Sequence, residues 1–488
     1  METRFLRKSN ILQAVHSLMP KGKVEVFLVG GAVRDLFLRK GIGKDLDFVT
    51  TGEVKTLAEQ LARKIGGTAF PLDESFGTWR VVLKGAKKKT DADFSPMQGK
   101  NILEDLRRRD FSINSMAVDI NEVFTREAPA LIDPLGGLAD LQRKILRTNG
   151  EQNLREDPLR MLRAFRFAHL LDLQMEDETL EMIRRNQERI KLAAAERIRS
   201  EFFAGLNASG ADRFLRDLQQ AGLLGQIFPE VAAWPGVEQG GHHDFPLLEH
   251  AFRTVAATEW ILAHLPQIFP AYAPSLQVHF GRTIEEGIGR KAFLKFVALF
   301  HDSGKPSTRT VNAQDQSVRF LDHDSVGRGI NEQIARRLKL SRRAVRILGE
   351  LTRHHMRSLS LSKGKEITPR AGYRFFGDLG IEGLDAALLA QADALATRET
   401  RLQWPLVLPD DVNRVMEASS WLVRYYYEEF TSGSQKPLLD GREIMEALQV
   451  PEGEKVGVLL GRLREAEMAG RVRTREVALA FLRNCRRE

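Results

Sequence analysis

Two adjacent glycines at the end of an apolar run constrain this chain more than any other feature. The run from Val24 to Val29 is rich in β-branched and aromatic residues, which predicts a buried strand. Gly30 and Gly31 carry no Cβ atom, so the backbone there can approach a bound phosphate closely. The residues after them have helical apolar spacing. They predict a helix whose positive N-terminal end, with Arg34 in its first turns, points towards that anion.

Two carboxylates follow on the next predicted strand. Asp45 and Asp47 are two residues apart, so an extended backbone places them on one face, with Leu46 and Phe48 on the other. A Gly-Gly turn or an Asp-x-Asp pair alone is commonly a plain turn or a solvated edge. Together they predict a site that holds Mg²⁺ against a nucleoside triphosphate.

The length and composition indicate a soluble, multidomain globular protein. The chain has 488 residues, of which 43% are hydrophobic and 28% charged, so three or four domains are expected. No apolar run is long enough to cross a membrane, and the polar start is not a secretory signal. The single cysteine, Cys485, fits a reducing cytoplasm. The net charge of +8 is compatible with a nucleic-acid partner and equally with a solvated surface.

The first 150 residues alternate apolar strands with helices, which predicts an α/β domain. We expect a helix at 57–65 and a strand at 79–83 that enters the basic turn 84–89. The stretch 90–100 lacks periodicity and is predicted to be a mobile loop. Domain boundaries are expected near Gly150, near Pro235 and in the spacer Ser432-Gly433-Ser434.

A second motif, the arginine motif, runs from Glu104 to Ala117 and contains Arg107, Arg108 and Arg109. Arg109 can bind phosphate oxygens, and Asp110 and Asn114 offer an acceptor and an amide suited to ribose hydroxyls. A charged turn entering a helix or strand is the alternative for the arginines alone. A third stretch, from Leu131 to Leu141, is a Pro/Gly turn with a structural role.

The fourth motif, Glu156-Asp157-Pro158-Leu159-Arg160, opens a predicted helix that continues through Arg163. Asp157 and Arg160 are three apart and are expected to share its polar face. A carboxylate with a guanidinium can present an acceptor and donors to a base edge. An ordinary surface ion pair is the alternative.

These four motifs, in this order, resemble the class II tRNA nucleotidyltransferases and bacterial poly(A) polymerases. The resemblance implies that Asp45 and Asp47 are catalytic Mg²⁺ ligands. It also implies nucleotide contacts from the glycine turn, from the arginine motif and from the fourth motif with the helix that it opens. These residues are Gly30, Gly31, Arg34, Arg109, Asp110, Asn114, Asp157, Arg160 and Arg163. In that family the protein itself selects C and A, without a nucleic-acid template.

Nine of the eleven histidines lie between 242 and 355, namely His242, His243, His250, His264, His279, His301, His323, His354 and His355. The pair His301-Asp302 ends an apolar helix and can contribute two ligands to one ion. With His250 and Asp393 it resembles the four ligands of HD-superfamily phosphohydrolases, and Gly304-Lys305 strengthens the match. His323 and either His354 or His355 occupy positions where two-metal HD proteins carry further histidines. A transition metal is the implied cofactor there.

The resemblance implies an α/β head with a mixed sheet, followed by an all-α neck, HD body and tail, a multidomain α+β chain. We assign 1–150 to the head, 151–235 to the neck, 236–430 to the HD domain and 431–488 to a basic tail. The tail arginines could follow an RNA backbone, or could form a solvated basic face. They are Arg462, Arg464, Arg471, Arg473, Arg483, Arg486 and Arg487.

The predicted activity is template-independent addition of nucleotides from CTP and ATP to the tRNA 3′ end, with no membrane or DNA partner. Complete CCA-adding members have a longer flexible segment before the arginine motif, whereas Lys84 to Glu104 is short here and lacks the Thr-Phe-Arg type of sequence. The comparison favours CC-addition narrowly over CCA-addition, with poly(A) polymerase third. An HD phosphohydrolase with an RNA-binding head and a non-catalytic RNA-binding protein are the alternatives from other classes.

Overall fold

The computed structural model describes residues 6–19, 24–38, 45–73, 77–83, 91–241, 243–364, 366–431, 438–468 and 471–485. Several predictions fall outside these ranges, and their residues are the basic turn 84–89, His242, Ser432, Gly433, Ser434, Arg486 and Arg487. The chain divides into two compact units. The first comprises 1–193 and 221–226, and the second 194–220 and 227–488.

The elements up to residue 193 alternate strands and helices. They are α1 (Asn10–Leu18), β1 (Val26–Val29), α2 (Gly31–Phe37), β2 (Asp45–Thr50), α3 (Val54–Ile65), β3 (Gly67–Asp73), β4 (Thr78–Leu83), β5 (Asp91–Pro96), α4 (Ile102–Arg107), β6 (Ala117–Asp119), α5 (Ile120–Thr125), α6 (Gly137–Gln142), β7 (Ile145–Leu146), α7 (Glu151–Glu156), α8 (Leu159–Leu171), β8 (Gln174–Met175) and α9 (Asp177–Asn186). The same part of the chain has two short 3₁₀ helices, Ser112–Asn114 between α4 and β6 and Gln187–Leu192 after α9.

Six strands form one mixed sheet in the order β3-β4-β5-β2-β1-β6. Only β2 and β5 run parallel, and the other neighbours are antiparallel. Leu46 and Phe48 face the core, as the alternation along β2 predicts, and Phe48 stacks on Phe94 at 4.8 Å between ring centroids. The predicted α/β head with a mixed sheet is confirmed.

The prediction of a mobile loop at 90–100 is wrong. Asp91–Pro96 is β5, which lies inside the sheet between β4 and β2, with Ala92 and Phe94 buried. The Asp91-Ala92-Asp93-Phe94 sequence alternates polar and apolar residues, but the window is too short to stand out. Its two neighbouring strands supply the hydrogen bonds that fix it as a strand.

The elements after residue 193 are almost entirely helical. They are α10 (Ala195–Asn207), α11 (Ala211–Gln220), α12 (Leu223–Ile227), α13 (Leu247–Ala263), α14 (Leu265–Ile268), α15 (Ala273–Phe280), β9 (Thr283–Glu285), β10 (Ile288–Gly289), α16 (Arg290–Phe300), α17 (Lys305–Thr308), β11 (Arg309–Val311), β12 (Val318–Phe320), α18 (His323–Arg337), α19 (Arg342–Ser362), α20 (Pro369–Leu379), α21 (Gly383–Ala396), α22 (Asp410–Tyr425), α23 (Gly441–Leu448), α24 (Glu454–Met468) and α25 (Arg475–Cys485).

Aromatic side chains form a large part of the core of this second unit. Phe202, Phe228, Phe296 and Phe300 pack ring against ring at centroid distances of 4.9 to 6.2 Å. This packing fixes the end of α16, where His301 follows Phe300. None of the helices in the described ranges combines the length and the apolar character that crossing a bilayer requires.

Candidate functional site

The glycine turn occupies the end of β1 at the start of α2. Gly30 has φ +69°, a backbone conformation that residues with a Cβ rarely adopt. A Cβ on Gly30 would lie 3.3 Å from Arg109 Nη1 and 3.4 Å from Asp47 Oδ2. The predicted anion-binding turn, the predicted carboxylate and the arginine motif therefore meet at one point.

Asp45 and Asp47 project from β2 on the same face. Burial raises the pKa of Asp47, and the nearby carboxylates of Asp93 and Asp45 add to the increase, while Arg109 opposes it. The raised pKa shows that the nearby Arg109 does not compensate fully for the burial of Asp47 and for the neighbouring carboxylates. A divalent cation would supply further positive charge, so the residues fit the predicted Mg²⁺ site.

A chain of hydrogen bonds joins the glycine-turn helix to the arginine motif and to α8. Arg34 Nη1 donates to Asn114 Oδ1 at 2.7 Å, and Asn114 Nδ2 donates to Asp110 Oδ1 at 3.1 Å. Arg163 donates to Asp110 Oδ2 from Nε at 3.0 Å and from Nη2 at 2.7 Å. Burial alone would raise the pKa of Asp110, but Arg163 and Asn114 hold it below its usual value. The network fixes Asp110 as an ionised acceptor.

These residues surround a cavity of about 400 Å³, a volume suited to a small-molecule ligand. The residues that line it come from the glycine turn and α2, from β2, from the arginine motif and from α8. They are Gly30, Gly31, Ala32, Arg34, Asp35, Asp45, Asp47, Arg109, Asp110, Asn114, Arg163, Arg166 and Phe167. Ala32, Asp35, Arg166 and Phe167 were not predicted as site residues. Three guanidinium groups surround the Phe167 ring, at 5.3 Å (Arg34), 5.3 Å (Arg163) and 4.1 Å (Arg166) from its centroid.

Asp157 and Arg160 are placed differently from the expectation of one shared helix face. Asp157 caps the end of α7, and Arg160 lies in the first turn of α8, beyond Pro158. Arg160 Nη1 donates to the Asn153 carbonyl at 3.1 Å. Neither is among the described residues that line the cavity. Pro158 ends one helix and begins the next, which the motif pattern alone did not reveal.

The structure adds an ion pair beside the carboxylates that the sequence analysis missed. Asp93 on β5 is the parallel partner of Asp47, and Asp91 that of Asp45. Arg80 on β4 binds Asp93 with Nε at 2.8 Å and Nη2 at 2.7 Å. The repeated Asp-x-Asp spacing was the signal, and it was hidden by the interpretation of this stretch as a loop.

Five helical segments bring a second set of predicted residues together. His250 lies on α13, His301 and Asp302 follow α16, His323 begins α18, His355 lies on α19 and Asp393 lies on α21. Their ligand atoms form two groups with a separation of at most 4.8 Å within each. One group is His250, His301 and Asp393, and the other is Asp302, His323 and His355.

Asp302 lies between the two groups. Its Oδ2 is 3.1 Å from His301 Nε2, and its Oδ1 is 3.4 Å from His323 Nε2 and 3.5 Å from His355 Nε2. Oδ1 is buried without a hydrogen-bond donor among the described residues. A buried carboxylate oxygen without a donor is costly unless a cation meets it. The geometry fits a carboxylate that bridges two metal ions.

The histidines of both groups have the same orientation, with Nδ1 against a backbone carbonyl. The contacts are His250 to Ala396 at 3.3 Å, His301 to Ala298 at 2.8 Å, His323 to Phe320 at 2.8 Å and His355 to Thr352 at 2.7 Å. When Nδ1 donates its proton, the lone pair of Nε2 faces the site, as in metal-ligating histidines. His250 and His301 then face each other at 3.4 Å, and His323 and His355 at 3.3 Å, and a cation would relieve their repulsion.

The charges of this centre also favour a cation. Burial alone would lower the pKa of His301, but Asp302 and Asp393 raise it to about 10. Lys305 Nζ lies 2.6 Å from Asp302 Oδ2. Burial would raise the pKa of Asp302, but His301 and Lys305 hold it well below its usual range. The centre thus attracts positive charge, whether protons or metal ions.

The remaining histidines are placed elsewhere or have other partners. His354 Nε2 lies 3.3 Å from Glu350 Oε2, so His355 rather than His354 joins the centre. His264 stacks on Trp260, and His279 binds Asp385. His243 lies beside His250, with 4.8 Å between ring centroids, and burial lowers its pKa to about 3.

Three family models match consecutive parts of the chain. The model described as the poly A polymerase head domain matches 26–147, the probable RNA and SrmB-binding site of polymerase A matches 172–234, and the HD domain matches 247–397. The CC-adding tRNA nucleotidyltransferase of Thermus thermophilus is 33% identical over 94% of this chain and 93% of its own length. The A-adding enzyme of Deinococcus radiodurans is also 33% identical, over 93% and 94%.

Solved structures share the fold. A CCA-adding enzyme with CTP gives a TM-score of 0.64 at 18% identity, covering 98% of this chain and 96% of that one. The Thermotoga maritima CCA-adding enzyme complexed with tRNA gives 0.62 at 17% identity, covering 99% and 96%. At these identities the likeness establishes the fold alone.

Proposed function

Because this chain belongs to the tRNA nucleotidyltransferase family, we propose that it adds C residues from CTP to the 3′ end of tRNA, without a template and with release of pyrophosphate. The observation that carries the proposal is the cavity in which the glycine turn, the Asp45 and Asp47 carboxylates and Arg109 converge. We place the reaction in the cytoplasm, which fits the single cysteine.

The reaction joins the 3′-oxygen of the RNA to the α-phosphorus of CTP. The bond between the α-phosphorus and its bridging oxygen breaks, and the hydroxyl proton passes to solvent. Asp45 and Asp47 would hold Mg²⁺, whose chemistry there would be to lower the pKa of the 3′-hydroxyl and to neutralise the triphosphate. Gly30, Gly31, Arg34 and Arg109 hold phosphate oxygens. Asp110 and Asn114 contact the ribose.

Asp157 and Arg160 are proposed to read the incoming base, with Arg163 holding Asp110 in position beside it. For this role Arg160 exchanges the Asn153 carbonyl for the base edge, because Nη1 binds that carbonyl here. The base-reading role is thus proposed for a nucleotide-bound arrangement.

The segment between β4 and β5 supports C-addition as the subtype. β4 ends at Leu83 and β5 begins at Asp91, so only seven residues join them. The relatives from Thermus and Deinococcus match equally well, so identity does not choose between addition of C and addition of A. The short connection favours CC-addition, with CCA-addition second. The HD region and the helical tail argue against a poly(A) polymerase.

Incorporation of labelled CTP and ATP, separately and together with Mg²⁺, tests this proposal. The acceptors are tRNA transcripts that end before CCA, after CC or at the full sequence. Two C residues without A establish CC-addition, whereas A added after CC assigns CCA-addition or A-addition. No incorporation by folded protein that binds tRNA would overturn the head assignment.

The second unit supports a further function, hydrolysis of a phosphate ester at an HD centre. The bridging position of Asp302 and the Nδ1 contacts of the four histidines carry this proposal. His250, His301, Asp302, His323, His355 and Asp393 would hold two divalent transition-metal ions, for which imidazole and carboxylate are suitable ligands. Such ions activate water for attack on phosphorus.

Metal content by mass spectrometry, together with release of phosphate after loading with Mn²⁺, Co²⁺ or Ni²⁺, tests this second function. Two ions per chain and hydrolysis are expected. Bound metal without hydrolysis of any phosphate ester would leave the centre a structural metal site.

We assign RNA contact to 151–235 and to the tail 431–488, and the four-part domain division stays a prediction.

A further inference from the structure

A β-hairpin interrupts the helical unit between two ligands of the HD centre. β11 (Arg309–Val311) and β12 (Val318–Phe320) pair antiparallel, with Arg309 opposite Phe320, Thr310 opposite Arg319 and Val311 opposite Val318. Asp302 precedes this hairpin and His323 follows it. The chain therefore leaves the centre, forms the hairpin and returns to the centre.

The end of the hairpin touches the centre directly. The carbonyl of Phe320 accepts the Nδ1 proton of His323 at 2.8 Å. The Phe320 ring centroid lies 5.5 Å from Lys305 Nζ, which is itself 2.6 Å from Asp302 Oδ2. Phe320 is therefore separated from the bridging carboxylate by one side chain.

The same face of the hairpin meets the segment before α13. Val318 Cβ lies 3.6 Å from the position that a Cβ on Gly240 would take, and Gln239 Oε1 accepts a 2.6 Å hydrogen bond from Lys305 Nζ. Val318 and Phe320 on this face are half-buried and pack beside Gly240 and Lys305.

The hairpin carries two exposed arginines on opposite faces. Directly opposed residues of an antiparallel pair share one face, so Arg309 lies on the face of Phe320 and Arg319 on that of Thr310. Both side chains are exposed. Within the described parts of the chain, the guanidinium of Arg309 forms no hydrogen bond or ion pair. It is a free guanidinium on the hairpin face that carries Phe320, whose ring lies 5.5 Å from Lys305 Nζ.

We propose that this hairpin face selects the substrate of the HD centre, and that Arg309 binds a second phosphate of a phosphate ester whose first phosphate meets the metal ligands. The substrate class is then a molecule with two phosphates, such as a nucleoside bisphosphate or a phosphorylated RNA end. The proposal rests on the HD phosphohydrolase function above. In the hydrolysis a water oxygen bonds to phosphorus, the ester P–O bond breaks, and the leaving alcohol takes up a proton.

Arg309 suits a second phosphate because the geometry of a guanidinium matches that of a phosphate. A guanidinium binds phosphate oxygens through two parallel N–H bonds. A monophosphate with no second anion gains nothing from Arg309, because its single phosphate is held at the ligand cluster. Discrimination between one and two phosphates therefore measures the contribution of Arg309.

The test compares Arg309→Ala with Arg319→Ala, a matched control on the opposite face of the same hairpin. Full-length protein loaded with Co²⁺ is assayed with adenosine 3′-monophosphate, adenosine 3′,5′-bisphosphate and an oligoribonucleotide that ends in a 3′-phosphate. Arg309→Ala is expected to lower kcat/KM about tenfold for the two substrates with several phosphates and less than about twofold for the monophosphate. Arg319→Ala should change none by more than about twofold. Preference for the oligoribonucleotide over the bisphosphate would identify an RNA end as the source.

A second readout is independent of turnover. Amide hydrogen exchange of residues 309–320 is measured with and without adenosine 3′,5′-bisphosphate. The ligand should slow exchange in the wild type and in Arg319→Ala but not in Arg309→Ala, and Arg309→Lys should restore part of the effect. Equal behaviour of the two alanine variants in both readouts would overturn the inference. Absence of Co²⁺ binding would instead overturn the HD function, while the exchange comparison still judges Arg309.

Discussion

The head site and the HD centre are both proposed cation sites, but they differ in their ligand side chains and in how far the protein encloses them. In the head, Asp45 and Asp47 stand on an open strand face beside a cavity lined with arginines. In the HD centre, four histidines and two aspartates are enclosed by helices, and each ligand histidine is oriented by a backbone carbonyl. Carboxylates alone suit Mg²⁺, which retains water and phosphate ligands, whereas imidazole suits transition metals. Under the proposed functions, the substrate would complete the ligand set of the first site, whereas the second site would take its ligands from the protein.

The largest expected effect separates the two sites. Asp47→Asn should reduce CTP incorporation by roughly 10³-fold, because a ligand for the triphosphate-bound cation is lost. The metal content of the HD centre should not change. Single-turnover incorporation and metal analysis measure the two sides, with Asp302→Asn as the reciprocal control. Loss of incorporation in Asp302→Asn as well would show that the sites are not independent.

The next prediction uses two adjacent histidines. His355→Ala should weaken binding of one metal ion by at least about 100-fold, because Nε2 of His355 faces Asp302 and His323. His354→Ala should leave both ions bound, since His354 meets Glu350 instead. Titration with Co²⁺, followed by its visible absorption, distinguishes them. Equal losses would remove the assignment of His355.

A smaller effect concerns the buried acceptor of the head. Arg163→Met should cost about 2 kcal/mol of unfolding free energy at pH 7, because Asp110 loses a charged, two-point partner. The lowered pKa of Asp110 contributes stability that is present above its unfolded pKa of about 3.9 and lost as pH falls through the lower folded value. Urea unfolding at pH 7 and below pH 4 should show the difference between wild type and variant shrinking with acid.

The smallest effect concerns the backbone of the glycine turn. Gly30→Ala should destabilise the head by about 1 to 2 kcal/mol, since the residue holds φ +69°. Gly31→Ala is the matched control, because its Cβ would meet Arg34 Nη2 at an ordinary 3.4 Å inside a helix. Urea unfolding measures both. A loss for Gly31→Ala as large as that for Gly30→Ala would show that backbone conformation is not the cause.

Local pattern was sufficient where a residue's neighbours along the chain determine its place. The strand, glycine turn and helix at 26–37 and the alternation of Asp45 and Asp47 follow from periods of two and 3.6 residues. The same was true of His301 and Asp302, which end an apolar helix. Pattern failed at β5, since a six-residue strand between two others draws its stability from partners distant in sequence.

By itself, the sequence determined the order of the motifs, the α/β head followed by helices, and the residue types that we propose to bind nucleotides and metals. Only the tertiary structure decided which of His354 and His355 faces the centre, that Pro158 separates Asp157 from Arg160, and that Asp93 pairs with Arg80 beside Asp47. The physical reason is that these outcomes depend on the direction of a side chain relative to another element. That direction is fixed by packing between segments far apart in the chain, which no local period encodes.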